Sequence, residues 1–141
     1  MPGLKLGHYS IRTGHLEASR RFYTEAIGLR VGYRPAFDFP GVWLYLDEDE
    51  SEFGVVHIIG VDSDSADALK AHLGERDGDQ LTGSGAVDHM AFLATGPDEA
   101  KARFDRLRIP YEERAVPSMA LTQIFVVDPS GVTIELNYRT S

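Results

Sequence analysis

One carboxylate in this chain stands where a carboxylate is costly. The segment GVTIELNY (131–138) reads as core, yet Glu135 lies in it between Ile134 and Leu136. Burying an ionised carboxyl is unfavourable unless it is paired, protonated or bound to a metal ion. Three histidines stand in comparably strand-like surroundings: His8 in LGHYSIRTG, His57 in GVVHIIG and His89 in VDHMAFLATG. Imidazole and carboxylate together can hold a divalent cation, and an imidazole can move a proton near neutral pH. The 141 residues include no cysteine, which excludes disulfides, thiolate zinc sites and cysteine nucleophiles and leaves His, Asp, Glu and backbone oxygens as metal ligands. The plainer readings are an ion pair between Glu135 and an arginine, and packing roles for the histidines.

The elements that must position these residues follow from hydrophobic period and punctuation. Alternation over 4–13 predicts a strand. The stretch 14–28 predicts a helix with Leu16, Tyr23, Ala26 and Ile27 on one face and Gly28 as its stop. Strands follow at 29–35, 41–47 and 53–60, separated by a loop rich in Pro, Gly and Phe and by the acidic turn DEDESE. A polar stretch, 62–85, carries a short helix containing His72 and a Gly/Ser loop, and it reads as a linker. After it the pattern repeats: a strand at 86–95, a helix at 96–108 with Pro97 at its start and Ala100, Phe104 and Leu107 inward, and strands at 111–117, 120–128 and 131–139, the last two joined by DPSG.

Two βαβββ modules, 1–61 and 86–141, thus make up one domain over 1–141. Aligned by pattern, His8 falls on His89 and His57 falls on Glu135. The period of two puts Val132, Ile134, Leu136 and Tyr138 on one face of the last strand and Thr133, Glu135 and Asn137 on the other, inner face. His15, at the start of the first helix, and His72 read as solvated.

The net charge of −8 offers no basic patch for a phosphate backbone or an anionic membrane, so neither nucleic acid nor membrane is expected as a partner. The opening MPGLKLGHYS has no signal-peptide character, and no run approaches the ~20 apolar residues that span a bilayer. A cytoplasmic protein is expected.

Three stretches, LGHYSIRTGHLEASRRFYTEAIGLRVGYR, VDHMAFLA and FVVDPSGVTIELNY, taken in order, resemble the vicinal oxygen chelate superfamily, which includes glyoxalase I, bleomycin-resistance proteins and extradiol dioxygenases. The resemblance implies an α+β fold in which two βαβββ modules form a U-shaped, partly closed sheet with helices outside. It implies a divalent metal held by His8, His89 and Glu135, Fe(II) foremost, with Mn(II), Zn(II) or Ni(II) accepting the same donors. At the His57 position glyoxalase-like relatives have a Glu or Gln ligand, whereas several extradiol dioxygenases have a His acting as acid and base. His57 is therefore the expected catalytic residue, and Gln123, Phe125 and Asn137 the expected substrate-binding ones. Phe125 departs from those dioxygenases, which carry a proton-donating Tyr on this strand.

The resemblance points first to an extradiol ring-cleaving dioxygenase of a catecholic small molecule, working as a homodimer. The alternatives are a glyoxalase-like isomerase or lyase acting through a metal-stabilised enediolate, and a non-catalytic protein that sequesters its ligand. The aromatics of YRPAFDFPG (33–41) with Trp43 and Tyr45 either line a pocket for a ring or pack core and dimer interface.

Overall fold

The computed structural model describes residues 6–51, 54–61, 83 and 87–140. Two compact units divide the chain, with the boundary between Leu81 and Thr82. The expected linker 62–85 lies outside the described residues apart from Gly83, and His72 with it.

In the first unit β1 (Tyr9–Thr13) leads to α1 (Leu16–Arg21), which continues as a π-helical turn through Phe22–Ile27. Then come β2 (Arg30–Gly32), β3 (Gly41–Tyr45) and β4 (Val56–Gly60). The sheet order is β1-β4-β3-β2, with β1 parallel to β4 and the other pairs antiparallel. A parallel pair needs a crossover; helix, β2 and β3 supply it, so the first and last strands of the unit become neighbours. Val56, Ile58 and Leu44 are buried, as are Tyr23 and Ala26 of the helix. Alternation leaves His57 on the opposite face. The helix closes where the backbone N–H groups of Gly28 and Leu29 both donate to the Tyr23 carbonyl, at 3.1 and 2.9 Å. Gly28 takes φ +99°, a left-handed conformation that a Cβ disfavours.

The second unit repeats this plan. It comprises β5 (Met90–Ala94), α2 (Pro97–Leu107), β6 (Glu112–Val116), a 3₁₀ turn (Pro117–Met119), β7 (Leu121–Val127) and β8 (Thr133–Arg139), ordered β5-β8-β7-β6 with β5 parallel to β8. Pro97 opens α2, Asp98 and Glu99 sit in its first turn, and Ala100 and Phe104 are buried. On β8, Ile134, Leu136 and Tyr138 are buried as the alternation predicts. The DPSG turn is built around Asp128, whose Oδ1 accepts from the backbone N–H of Ser130 and of Val132, both at 2.8 Å. Both sheets are four-stranded and mixed, so the α+β class and the repeat are as expected.

The strands are shorter than hydrophobicity alone suggests. β1 begins at Tyr9, where pairing with Val56 begins, and β5 at Met90, where pairing with Ile134 begins. His8 and His89 thus sit one residue ahead of their strands. β2 ends at Gly32, shortly before Pro35, which has no N–H to give a ladder.

Candidate metal centre

In the second unit the parallel β5–β8 pairing sets Ala91 opposite Glu135. His89, two residues earlier than Ala91, brings its Nε2 to 3.5 Å from Glu135 Oε1. Two donors each ~2.1 Å from one ion lie about 3.0–3.4 Å apart at octahedral or tetrahedral angles, so this pair, at 3.5 Å, stands just wider than two ligands on one cation. Nδ1 of His89 lies 2.7 Å from Asp88 Oδ2. That contact favours the tautomer with its lone pair on Nε2, the nitrogen facing Glu135. The hydrogen bond to Asp88 and the charge of Glu135 raise the His89 pKa above its ordinary value, so proton and cation compete for this ring.

Glu135 is only 7% exposed. Its second oxygen, Oε2, accepts from Asn137 Nδ2 at 2.8 Å; Asn137 Oδ1 accepts from Gln123 Nε2 at 3.0 Å; Gln123 Oε1 accepts from Arg114 Nε and Nη2 at 3.1 and 2.8 Å. The register makes this row possible, since Arg114 is opposite Gln123 and Gln123 opposite Asn137. Phe125 is directly opposite Glu135, and its ring lies under the Arg114 guanidinium, 5.2 Å from carbon to centroid. Gln123, Phe125 and Asn137 therefore share one neighbourhood with Glu135. Among the described residues no ion pair joins Glu135 to an arginine: Arg114 is reached through two amides.

In the first unit the same parallel register sets Ser10 opposite His57, and His8 lies two residues ahead of Ser10. Here two rings meet. His8 stacks on His57 with centroids 3.7 Å apart and planes 12° apart, and Trp43, opposite His57 across β3 and β4, stacks at 3.9 Å and 8°. His57 is buried at 7% exposure. An imidazole binds a metal through an in-plane lone pair, so the ion lies in the ring plane. With aromatic atoms about 3.5 Å thick in contact, one ion cannot lie in the planes of both His8 and His57.

Beyond Trp43 the aromatics continue. Phe37 lies 6.3 Å from Trp43 and stacks on Phe39 at 5.1 Å, while the Arg34 guanidinium carbon sits 5.0 and 5.2 Å from the Phe37 and Phe39 rings. His15 is exposed at the cap of α1, as expected. Among the described residues no three His, Asp or Glu side chains are gathered as a metal site; His89 and Glu135 form a pair, and His8 belongs to the other unit. Sequence reasoning missed Asp88 and Arg114. The DH dipeptide was a signal for the first, and nothing local pointed to the second.

Two βαβββ units of identical strand order, with a His–Glu pair in one and a His–His pair at the equivalent register positions of the other, define a paired-module protein of the glyoxalase type. The model of the Glyoxalase/Bleomycin resistance protein/Dioxygenase superfamily matches residues 5–136, and the chain belongs to that superfamily. Its fold is similar to that of lactoylglutathione lyase from Agrobacterium tumefaciens (TM-score 0.59, 18% identity, covering 97% of this chain and 94% of that one). It is also similar to the fosfomycin resistance protein FosX from Listeria monocytogenes (0.63, 18%, 99% and 95%) and to glyoxalase I from Leishmania major (0.62, 23%, 95% and 86%). At these identities the likeness concerns the fold. No curated protein sequence matches the chain.

Proposed function

We propose that the chain is a divalent-metal-dependent enzyme of the vicinal oxygen chelate type that cleaves the ring of a catecholic substrate. In this reading His8, His89 and Glu135 hold the metal, which when bound supplies a Lewis-acidic centre where two adjacent substrate oxygens chelate. The observation that carries the reading is the ring stack. With His57 out of the plane in which His8 would meet an ion, the protein donors number three and adjacent positions stay open, the set suited to Fe(II) and also accepted by Mn(II), Zn(II) and Ni(II).

The remaining residues have separate duties. Asp88 holds the His89 ring and Asn137 holds Glu135. Phe125, opposite Glu135, has no proton to give, so proton transfer to and from the substrate oxygens falls to His57. The Trp43 and Phe37 rings offer an apolar surface to the substrate's ring. No helix among the described residues is long and apolar enough to cross a membrane. A cytoplasmic homodimer completes the proposal; exposed Leu93 and Met119 supply apolar area for self-pairing.

The test is metal analysis of protein purified without air, followed by oxygen uptake with catechols. Iron together with oxygen consumption and a ring-opened product supports ring cleavage. A redox-inert metal with no oxygen uptake transfers the site to enediolate chemistry, and protein that takes up no metal at all is a sequestering protein.

A further inference from the structure

We propose that Arg114 anchors an anionic group of the ligand, so that the site takes a ring compound bearing a carboxylate in preference to its neutral analogue. This inference rests on the functional reading above and names the substrate class within it.

The argument starts from how Arg114 is held. Its Nε and Nη2 both donate to Gln123 Oε1, and its guanidinium carbon lies over the Phe125 ring. Two contacts thus fix a side chain that remains exposed. The side edge formed by Nε and Nη2 is occupied, which leaves the end edge, Nη1 with the second N–H of Nη2, to meet a carboxylate bidentately. Among the described residues Arg114 forms no ion pair, although Glu112 shares its face of β6. By contrast Arg20, Arg21 and Arg30 are all paired with glutamates.

The choice of Gln at 123 is informative. A glutamate there would hold Arg114 more tightly but cancel its charge, whereas an amide positions the cation and leaves the charge whole. Arg114 can only donate and the Glu135 carboxylate can only accept, so one orientation of Gln123 and Asn137 satisfies the row between them. The cation is thereby fixed relative to Glu135. β6 and β8 lie two strands apart, ~10 Å by strand spacing, with Phe125 of β7 between the Arg114 guanidinium and Glu135. On a face that also carries Glu112 and Glu135, in a chain of net charge −8, an anionic ligand is repelled unless a cation receives it.

The probes are 3,4-dihydroxybenzoate and its neutral isostere 3,4-dihydroxybenzamide, titrated into metal-loaded protein and into the same protein in EDTA. The wild type is expected to bind the acid at least about tenfold more tightly than the amide. R114M should bind both equally, and Q123E, which neutralises the guanidinium while keeping it in place, should lose the preference with its circular dichroism unchanged. In EDTA the acid, and not the amide, should shift the Arg114 Nε–H resonance, identified by its absence in R114M. Equal binding of the two probes by wild type, absence of binding by either, or a preference that survives in R114M overturns the anchor. A preference and resonance shift in protein that takes up no metal keeps the anchor and removes the metal reading; metal-dependent turnover without any preference does the reverse.

Discussion

Replacing His57 by phenylalanine, with alanine beside it, separates packing from proton transfer. Its ring lies between Trp43 at 3.9 Å and His8 at 3.7 Å. Each stacked pair contributes about 0.5–1.5 kcal/mol beyond area burial. H57A therefore loses about 1–3 kcal/mol from the two stacks, and the share that steadied His8 reappears as weaker metal binding, about two- to twelvefold since 1.4 kcal/mol is one decade. H57F keeps both stacks and has no ring nitrogen. Its metal affinity should stay within about threefold of wild type, while turnover of a catechol should fall by about 10²–10⁴, the scale for losing a positioned acid or base. H8A should lose the metal outright. The assay is metal content and affinity alongside turnover for the three variants. If H57F loses metal as completely as H8A, the ring-plane reasoning fails, His57 is a fourth ligand, and glyoxalase-like chemistry moves ahead of ring cleavage.

Glu135→Gln keeps the side chain's shape and removes the anionic donor, so metal should be lost with the far-ultraviolet circular dichroism unchanged; stoichiometric metal in this variant would take Glu135 out of the site. Asp128→Ala strands the Ser130 and Val132 amides that share Oδ1 and should lower stability by about 1–3 kcal/mol in urea titrations, an unchanged midpoint arguing that the turn holds itself. Light scattering at tens of micromolar should give twice the chain mass, and a monomer there would refute the proposed homodimer.

The repeat was legible because hydrophobic period and punctuation agreed along most of the chain. Pro97 at the start of α2, Gly28 after the first helix and DPSG before β8 each stand where the structure uses them. Strand starts were less legible, because a strand begins where its partner does: nothing within LKLGHYSIRT marks Tyr9, and Val56 on β4 decides it. The π-helical turn at Phe22–Ile27 and the 3₁₀ turn at Pro117–Met119 also left no local mark that distinguishes them from helix and loop. Arg114 was invisible for a deeper reason. Its strand, EERAV, is exposed almost throughout and lacks alternation, and its importance depends on a register running through β7 to β8.

What the repeat did convey is the pairing of chemically active residues, and the register explains why. In each unit the first strand runs parallel to the last, and in each the histidine stands two residues ahead of the partner of the key position: Ser10 opposite His57, Ala91 opposite Glu135. Identical backbone offsets therefore bring His8 to His57 and His89 to Glu135. The outcomes differ because the side chains do. Two imidazoles, with Trp43 beside them, form a stack that buries one and fixes the other. An imidazole and a carboxylate form a polar pair that needs further partners, which Asp88 and Asn137 provide. The same scaffold thus makes one half that orders a ring and one half that concentrates charge. In the stacked half at most one imidazole can meet a given ion in its ring plane, and in the proposed reading that one is His8, with His57 left for the proton.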